Sequence, residues 1–192
     1  MQTFRNSKDS KYTYTRLYST KQMNSVGCFE RNEHVATYKK YRPEYPSTIK
    51  DHIKSYIIEN NPNCNFGTML DVACGSGQAT LMWKNDFKMI HGIDKSAEQI
   101  SHAPTDQPHV TFSVDCATDL KFDDSSVDLI TVATALHWLD RESFYTEVQR
   151  VLKPGGVLAA FAHNMLKLKL GDARANRVLC TEVSSFSVCH NQ

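Results

Sequence analysis

Apolar and polar residues alternate in short blocks between residues 46 and 163, and two periodicities recur along this stretch. Short apolar runs predict buried strands, whereas apolar residues spaced three or four apart predict helices with one buried face. The predicted strands are 67–72, 88–93, 109–114, 127–133 and 157–162. The fourth of them is apolar almost throughout, which is typical of a parallel strand that is covered on both faces.

Helical patterns precede and separate these strands. A short helix is predicted at 33–41. It ends before Pro43, because a residue that precedes proline disfavours the helical region. Shorter helices are predicted at 77–86 and 96–103. Two further helices have clear buried faces. One begins at Pro46-Ser47, and its buried face is Ile49, Ile53 and Ile57. The other begins after Asp140 and ends at Pro154-Gly155-Gly156, and its buried face is Phe144, Val148 and Val151.

This alternation of strands and helices predicts an α/β fold, a doubly wound and mostly parallel Rossmann-like sheet with right-handed crossovers. The ends of the chain differ from this pattern. Residues 1–32 are predicted to be a disordered basic extension, and residues 164–192 a tail in which only Leu166 to Leu170 alternates like a strand. The first 26 residues contain a single acid, Asp9, against five bases, which are Arg5, Lys8, Lys11, Arg16 and Lys21.

A glycine loop follows strand one. The apolar run ends in Asp71, and Gly75 and Gly77 then lead into a helical pattern. Glycine allows positive φ and has no Cβ, so a ligand can approach such a loop closely. Asp94 ends strand two, 19 positions after Gly75, at the distance expected of a carboxylate that accepts hydrogen bonds from a ribose. These residues predict a site for a nucleoside-containing ligand.

The loop also indicates which nucleoside. A dinucleotide fingerprint would have a third glycine beside the pyrophosphate, and Thr80 occupies that position. Asp71 at the mouth of the loop would repel a pyrophosphate but would suit a ligand that has an ammonium group. S-adenosylmethionine has adenosine, a sulfonium and an amino-acid tail, without phosphate. It is therefore the predicted cofactor.

The run from Asp71 to Gly77 resembles the first motif of class I S-adenosylmethionine-dependent methyltransferases. Residues 112–130 resemble the third strand, adenine-side loop and fourth strand of that family, and residues 151–158 resemble its turn into strand five. Residues 38–46 and 135–140 are similar to a subgroup, the trans-aconitate-type small-molecule methyltransferases. The resemblance predicts a methyltransferase domain at 33–163. It also implies seven strands, so the sheet is expected to be incomplete, with strands one to five present, the last two missing, and strand five an exposed edge.

The same resemblance implies roles for individual residues. Ala117 would hold the adenine through its backbone N–H, beside Cys116, which stands where many relatives have an aspartate. His137 is predicted near the transferred methyl group, as the one candidate general base. The predicted cofactor-binding residues are Asp71, Ala73, Cys74, Gly75, Gly77, Asp94, Cys116, Ala117, Ala133, Tyr38 and Arg42, the last of which could pair with the methionine carboxylate or with an acidic substrate.

Composition argues against a nucleic-acid or membrane partner and favours a reducing compartment. A net charge of +1 with interleaved acids and bases does not resemble a nucleic-acid-binding surface, and the longest apolar run is too short for a membrane span. The six cysteines show no CxxC spacing, which favours a reducing compartment, and no histidine spacing predicts a metal site. The expected location is the cytoplasm, with a mitochondrial transit peptide as the alternative for the basic start of the chain.

The predicted function is methyl transfer from S-adenosylmethionine to a small molecule, with a carboxylate as one candidate acceptor. Two alternatives remain at this point. One is a nicotinamide-dependent oxidoreductase on a related sheet, against which Thr80 and Asp71 argue. The other is a truncated and inactive methyltransferase-like chain, produced by alternative splicing or a misjoined gene. The alternative to truncation is a shortened fold in which residues 166–170 and 178–188 cover the edge of the sheet.

Overall fold

A computed structural model describes residues 45–163 in full, apart from the side chain of residue 163, and residues 183–190 as backbone. The predicted basic extension, the predicted helix at 33–41, Tyr38, Arg42 and the strand-like run 166–170 lie outside the described residues. The helices are α1 (Ser47–Asn60), α2 (Gln78–Leu81), α3 (Ala97–Ser101) and α4 (Arg141–Val151), and a 3-10 turn covers Leu136–Trp138. The strands are β1 (Thr68–Val72), β2 (Met89–Asp94), β3 (Val110–Val114), β4 (Val127–Ala133), β5 (Leu152–His163) and β6 (Val183–His190).

The strands form one sheet in the order β3-β2-β1-β4-β5-β6. The first five strands are parallel, and β6 is antiparallel to β5. The chain begins at the centre with β1, moves outward to β3, and returns to the other side of β1 with β4. The predicted doubly wound α/β sheet is therefore confirmed. Sheets of this kind bind ligands at the carboxyl edge where the strand order reverses, which here is between β1 and β4; we call this the ligand edge.

The expectation that strand five forms an unpaired edge is wrong. Residues Val183–His190 pair with residues 157–163 of this strand, from Val157 opposite His190 to His163 opposite Val183. The backbone groups on the outer side of β5 thus have a neighbouring strand. The alternative that part of the tail covers this edge is the one that the structure follows, and β6 becomes the edge strand instead.

Two apolar layers pack on the two faces of the sheet. On one face, Ile49, Ile53 and Ile57 of α1 are buried against β1, β2, β4 and β5, as their spacing predicts. On the other face, Phe144 and Val148 of α4 pack among residues of β1 and β4. Because every residue of β4 is buried, this strand contributes to both layers.

Helix α4 begins and ends differently from the prediction in detail. Asp140 stands at its N-cap, but its carboxylate accepts a hydrogen bond from the Ser143 hydroxyl (2.6 Å) and caps no backbone N–H. The helix ends at Val151, before Pro154-Gly155-Gly156, because Leu152 already pairs with Val127 of β4. Strand β5 therefore begins before the predicted residue 157. In the described part of the chain, helices are too short or too polar to cross a bilayer.

The pairing of β6 with β5 can be tested with proline, which removes a backbone donor. Alternate N–H groups of an edge strand point to its partner, so one of F186P and S187P must remove a hydrogen bond between the two strands. We expect that variant to lower the thermal midpoint by about 2–4 °C, since one such bond contributes roughly 1 kcal/mol. N191P, placed just beyond the strand, is the control. Midpoints unchanged in both strand variants would show that the pairing does not stabilise the domain.

Candidate functional site

The loop after β1 has an unusual backbone. Ala73, Gly75 and Gly77 all have positive φ, at 55°, 58° and 87°. Residues other than glycine rarely adopt this region, so Ala73 stores backbone strain that the surrounding structure must offset. The loop is closed by backbone hydrogen bonds from Cys74 N–H to Ile93 O and from Gly77 N–H to Cys74 O, both 3.0 Å. The chain therefore turns sharply at the ligand edge of the sheet.

Asp94 is bonded directly to this loop. One carboxylate oxygen accepts from the Gly75 N–H (2.8 Å), and the other accepts from the Ser96 N–H (2.9 Å). A carboxylate oxygen has two acceptor sites, so each oxygen retains one for a further donor. The structure thus brings together the two features that the sequence separates by 19 residues, and the geometry fits a role of Asp94 toward two vicinal hydroxyls.

Asp71 lies beneath the loop and not at its mouth. It is fully buried, and its two oxygens accept hydrogen bonds from the hydroxyls of Thr80 and Thr131, each 2.6 Å long. These bonds join β1 to α2 and to β4. Asp71 thus holds the loop and its neighbours in place, and its predicted role toward the ligand's ammonium group stays a prediction. Thr80, read from the sequence only as a missing glycine, is one of its two partners.

The two loop glycines have different neighbours. A Cβ on Gly77 would lie 2.6 Å from Cζ of Phe112, whereas a Cβ on Gly75 would meet only the Gln99 side chain, at 3.5 Å. Gly92 of β2 faces the same phenylalanine ring, also at 2.6 Å. Gly77 is thus needed for packing against β3, and its predicted role as a ligand contact stays a prediction. Gly75 keeps the open approach to the backbone that the sequence predicts.

A small cavity of about 30 Å³ opens between the loop and the end of β4. Its wall includes four of the predicted residues, Ala73, Cys74, Gly75 and Ala133; the others that line it are Tyr45, Gln78 and Ala79. Burial raises the pKa of the Cys74 thiol far above its usual range, so this thiol is uncharged at neutral pH. The described wall of the cavity is therefore neutral.

Tyr45 forms the side of the cavity away from the loop. Its hydroxyl is 3.1 Å from the Thr134 hydroxyl oxygen, and its ring meets that of Phe161 edge to face, 5.1 Å between centroids. Thr134 has a φ of 61°, and its N–H donates to the Phe161 carbonyl. The end of β4 and the start of the described chain are thus fastened together beside the cavity.

Cys116 and Ala117 lie apart from this cavity, in the loop that follows β3. The Cys116 sulfur is exposed, 3.1 Å from the Thr118 hydroxyl, and this contact lowers the pKa of the thiol. Asp115 at the start of the loop donates its N–H to the Asp94 carbonyl (3.1 Å). The predicted adenine-side residues therefore stand next to Asp94, on the side opposite the cavity.

Arg150 of α4 anchors the far end of the same loop. Its guanidinium donates to the carbonyls of Leu120 and Phe122, both 2.8 Å, and to the carboxylates of Glu147 and Asp124. Glu147 in turn accepts from the Leu120 N–H (2.8 Å). Sequence reasoning missed this anchor, because two of its four partners are backbone carbonyl groups, which every residue has.

His137 and Trp138 lie on the exposed 3-10 turn after β4, with ring centroids 4.6 Å apart. Partial burial and the charge of Arg141 lower the pKa of His137, which favours its neutral form at pH 7. Neither residue is part of the cavity wall described above. The predicted place of His137 near a transferred methyl group stays a prediction. Within the described residues, His, Cys, Asp and Glu do not cluster as metal ligands would.

Comparison with known proteins agrees with this geometry. Residues 70–160 match the profile of a methyltransferase domain. The chain contains a methyltransferase domain. The sheet is accordingly that of class I methyltransferases, as the sequence resemblance predicts, whereas the narrower similarity to trans-aconitate-type enzymes stays a prediction.

The chain is similar to named methyltransferases and to solved structures. A Dictyostelium discoideum protein named as a methyltransferase is 33% identical over 132 residues, which are 69% of this chain and 48% of that protein. A Saccharomyces cerevisiae protein named as an S-adenosylmethionine-dependent methyltransferase is 26% identical over 71% of this chain and 48% of its own length. A solved structure from Anaeromyxobacter dehalogenans, titled as a type II methyltransferase, is 36% identical, with a TM-score of 0.56, over 65% of this chain and 50% of that one. The chain thus spans about half the length of the curated relatives that it matches.

The hydrogen bonds of Asp71 predict that T80V and T131V destabilise the methyltransferase domain. Valine has the shape of threonine but removes one hydroxyl that donates to the buried carboxylate, at a cost of about 1–3 kcal/mol per substitution. T146V is the matched control, since Thr146 lies on the exposed side of α4. Chemical denaturation measures the three free energies of unfolding. If all three variants unfold alike, Asp71 does not hold the loop as described.

Proposed function

We propose that this chain binds S-adenosylmethionine along the carboxyl edge of its sheet and transfers the methyl group to a small-molecule acceptor. The observation that supports this most directly is the order of groups along that edge. Reading across β3, β2, β1 and β4, they are the loop with Cys116 and Ala117, the carboxylate of Asp94, the glycine loop, and the cavity beside Ala133.

This order matches the order of parts in the proposed cofactor. Adenine would lie by the loop after β3, the ribose hydroxyls by Asp94, and the amino-acid tail by the cavity. Neighbouring strands are about 4.8 Å apart, so the three steps from β3 to β4 span roughly 14 Å, the length of an extended nucleoside with a tail. A cavity of about 30 Å³ holds about two water molecules by the same measure, which suits a small polar group and not a nucleoside.

The residues present fit this cofactor. Gly75 leaves open the approach to the loop backbone, and Asp94 retains acceptor sites that two ribose hydroxyls would fill. Bound S-adenosylmethionine would supply a methyl group already activated on a sulfonium. The protein would then hold the two reactants in line and exclude water, which is catalysis by proximity.

A carboxylate is the proposed first class of acceptor. Its oxygen is already deprotonated at neutral pH, so the reaction needs no general base within reach. A nicotinamide-dependent oxidoreductase is disfavoured, because the Thr80 side chain fills the place of the third glycine and is bonded to Asp71.

Calorimetry distinguishes the two cofactors. We expect the protein to bind S-adenosylmethionine, and D94N to bind it more weakly by about 1–3 kcal/mol, because asparagine cannot accept on both sides. D106N, at an exposed aspartate away from the loop, is the control. Binding of NAD in preference to S-adenosylmethionine, or equal binding by D94N and the unaltered protein, would contradict the proposal. Thermal midpoints show whether D94N is folded.

The acceptor class can be tested through His137. With a carboxylate acceptor we expect H137A to retain the turnover of the unaltered protein, because no proton has to be removed. A loss of about 10²-fold or more would identify His137 as a general base and move the acceptor class to alcohols or amines. The measurement is methyl transfer to a panel of small carboxylates, with W138A as a control for disturbance of the exposed turn.

A further inference from the structure

Among the described residues that line the cavity, Gln78 has a side-chain donor that makes no hydrogen bond. Its side-chain nitrogen Nε2 is shielded from solvent and has no hydrogen-bond partner within the described chain. A buried amide without an acceptor is unfavourable, and most such groups in proteins are paired. Gln78 therefore has an unfilled donor next to the glycine loop.

The position of Gln78 limits what could fill that donor. It follows Gly77 directly and lines the same cavity as Ala73, Gly75 and Ala133. This cavity lies beyond β1 from Asp94, on the side of β4, and so at the end opposite the ribose position. A ligand group that reaches it belongs to the tail of the cofactor and not to its nucleoside.

Of the two charged groups in the tail of S-adenosylmethionine, only the carboxylate can accept a hydrogen bond from the Gln78 amide, since an ammonium group has no acceptor. The described wall has no cationic side chain: the Cys74 thiol is uncharged, and the Tyr45 hydroxyl is already beside that of Thr134. The terminal torsion of glutamine is broad, so Nε2 can turn toward the cavity. It would break no hydrogen bond in turning, because it makes none within the described chain.

We propose that the Gln78 amide recognises the carboxylate of the amino-acid tail of S-adenosylmethionine and so determines the preference for the intact cofactor. This inference rests on the proposed function. It assigns to Gln78 the contact with the methionine carboxylate, for which the sequence analysis named Arg42 as a candidate. Substitution of each residue distinguishes the two assignments.

The test compares three ligands by calorimetry. S-adenosylmethionine has the full tail, its decarboxylated form lacks only the carboxylate, and methylthioadenosine lacks the whole tail. We expect the unaltered protein to prefer S-adenosylmethionine over the decarboxylated form by about tenfold, the scale of one charge-assisted hydrogen bond. In Q78E, which has the same shape but an anionic end, this preference should disappear or reverse, while methylthioadenosine binds as before. Q149E, on the exposed face of α4, is the control for added charge.

A second variant, Q78L, distinguishes loss of the ligand contact from loss of the fold. Because it removes an amide nitrogen that has no hydrogen-bond partner among the described residues, Q78L should have an unchanged or higher thermal midpoint and still lose the preference for the carboxylate. Three results would overturn the inference: equal weakening of all three ligands by Q78E, a preference that Q78L retains, or a preference lost in R42A and kept in Q78E. If the unaltered protein binds none of the three ligands, the proposed function itself fails, which is a different result.

Discussion

The buried carboxylate of Asp71 is the interaction on which the ligand edge depends. It is fully enclosed at the centre of the sheet, and its two acceptor atoms are occupied by the hydroxyls of Thr80 and Thr131. Removing a charged group from water is costly unless the group is well paired, so the two threonines must be in place for β1 to end as it does. The carboxylate thereby fixes the start of α2 and the end of β4 relative to β1, which are the elements that surround the cavity.

A second carboxylate organises the next part of the edge. Asp94 accepts from the N–H of Gly75 and from that of Ser96, so the strained loop after β1 is tied to the end of β2. The loop after β3 is tied to Asp94 in turn, through the N–H of Asp115. Adjacent parallel strands end at the same edge, and these bonds join their loops into one continuous surface. The order of groups on that surface supports the proposed function.

Three features of the fold depend on contacts that the sequence does not show. The Asp71 carboxylate accepts from the hydroxyls of Thr80 and Thr131, which are nine and 60 positions further along the chain. Gly77 is required by the ring of Phe112, which is 35 positions away and approaches only when β3 joins the sheet. Strand five is not an edge, because residues 183–190 return antiparallel to it. In each case the deciding partner lies in another helix or strand.

The sequence by itself determined the order and type of the elements from α1 to β5, the glycine loop, and the pairing of that loop with Asp94. These follow from local periodicity, from glycine positions and from a fixed spacing between two strands, all of which can be read along one dimension. It did not determine the start of β5, the strand beside β5, or the partners of Asp71 and Arg150. Nor could it reveal that the Nε2 atom of Gln78 is buried without a partner in the described chain. Those depend on which backbone and side-chain groups meet across the sheet, and only the tertiary structure decides such contacts, because their partners lie in other elements, in most cases dozens of residues away.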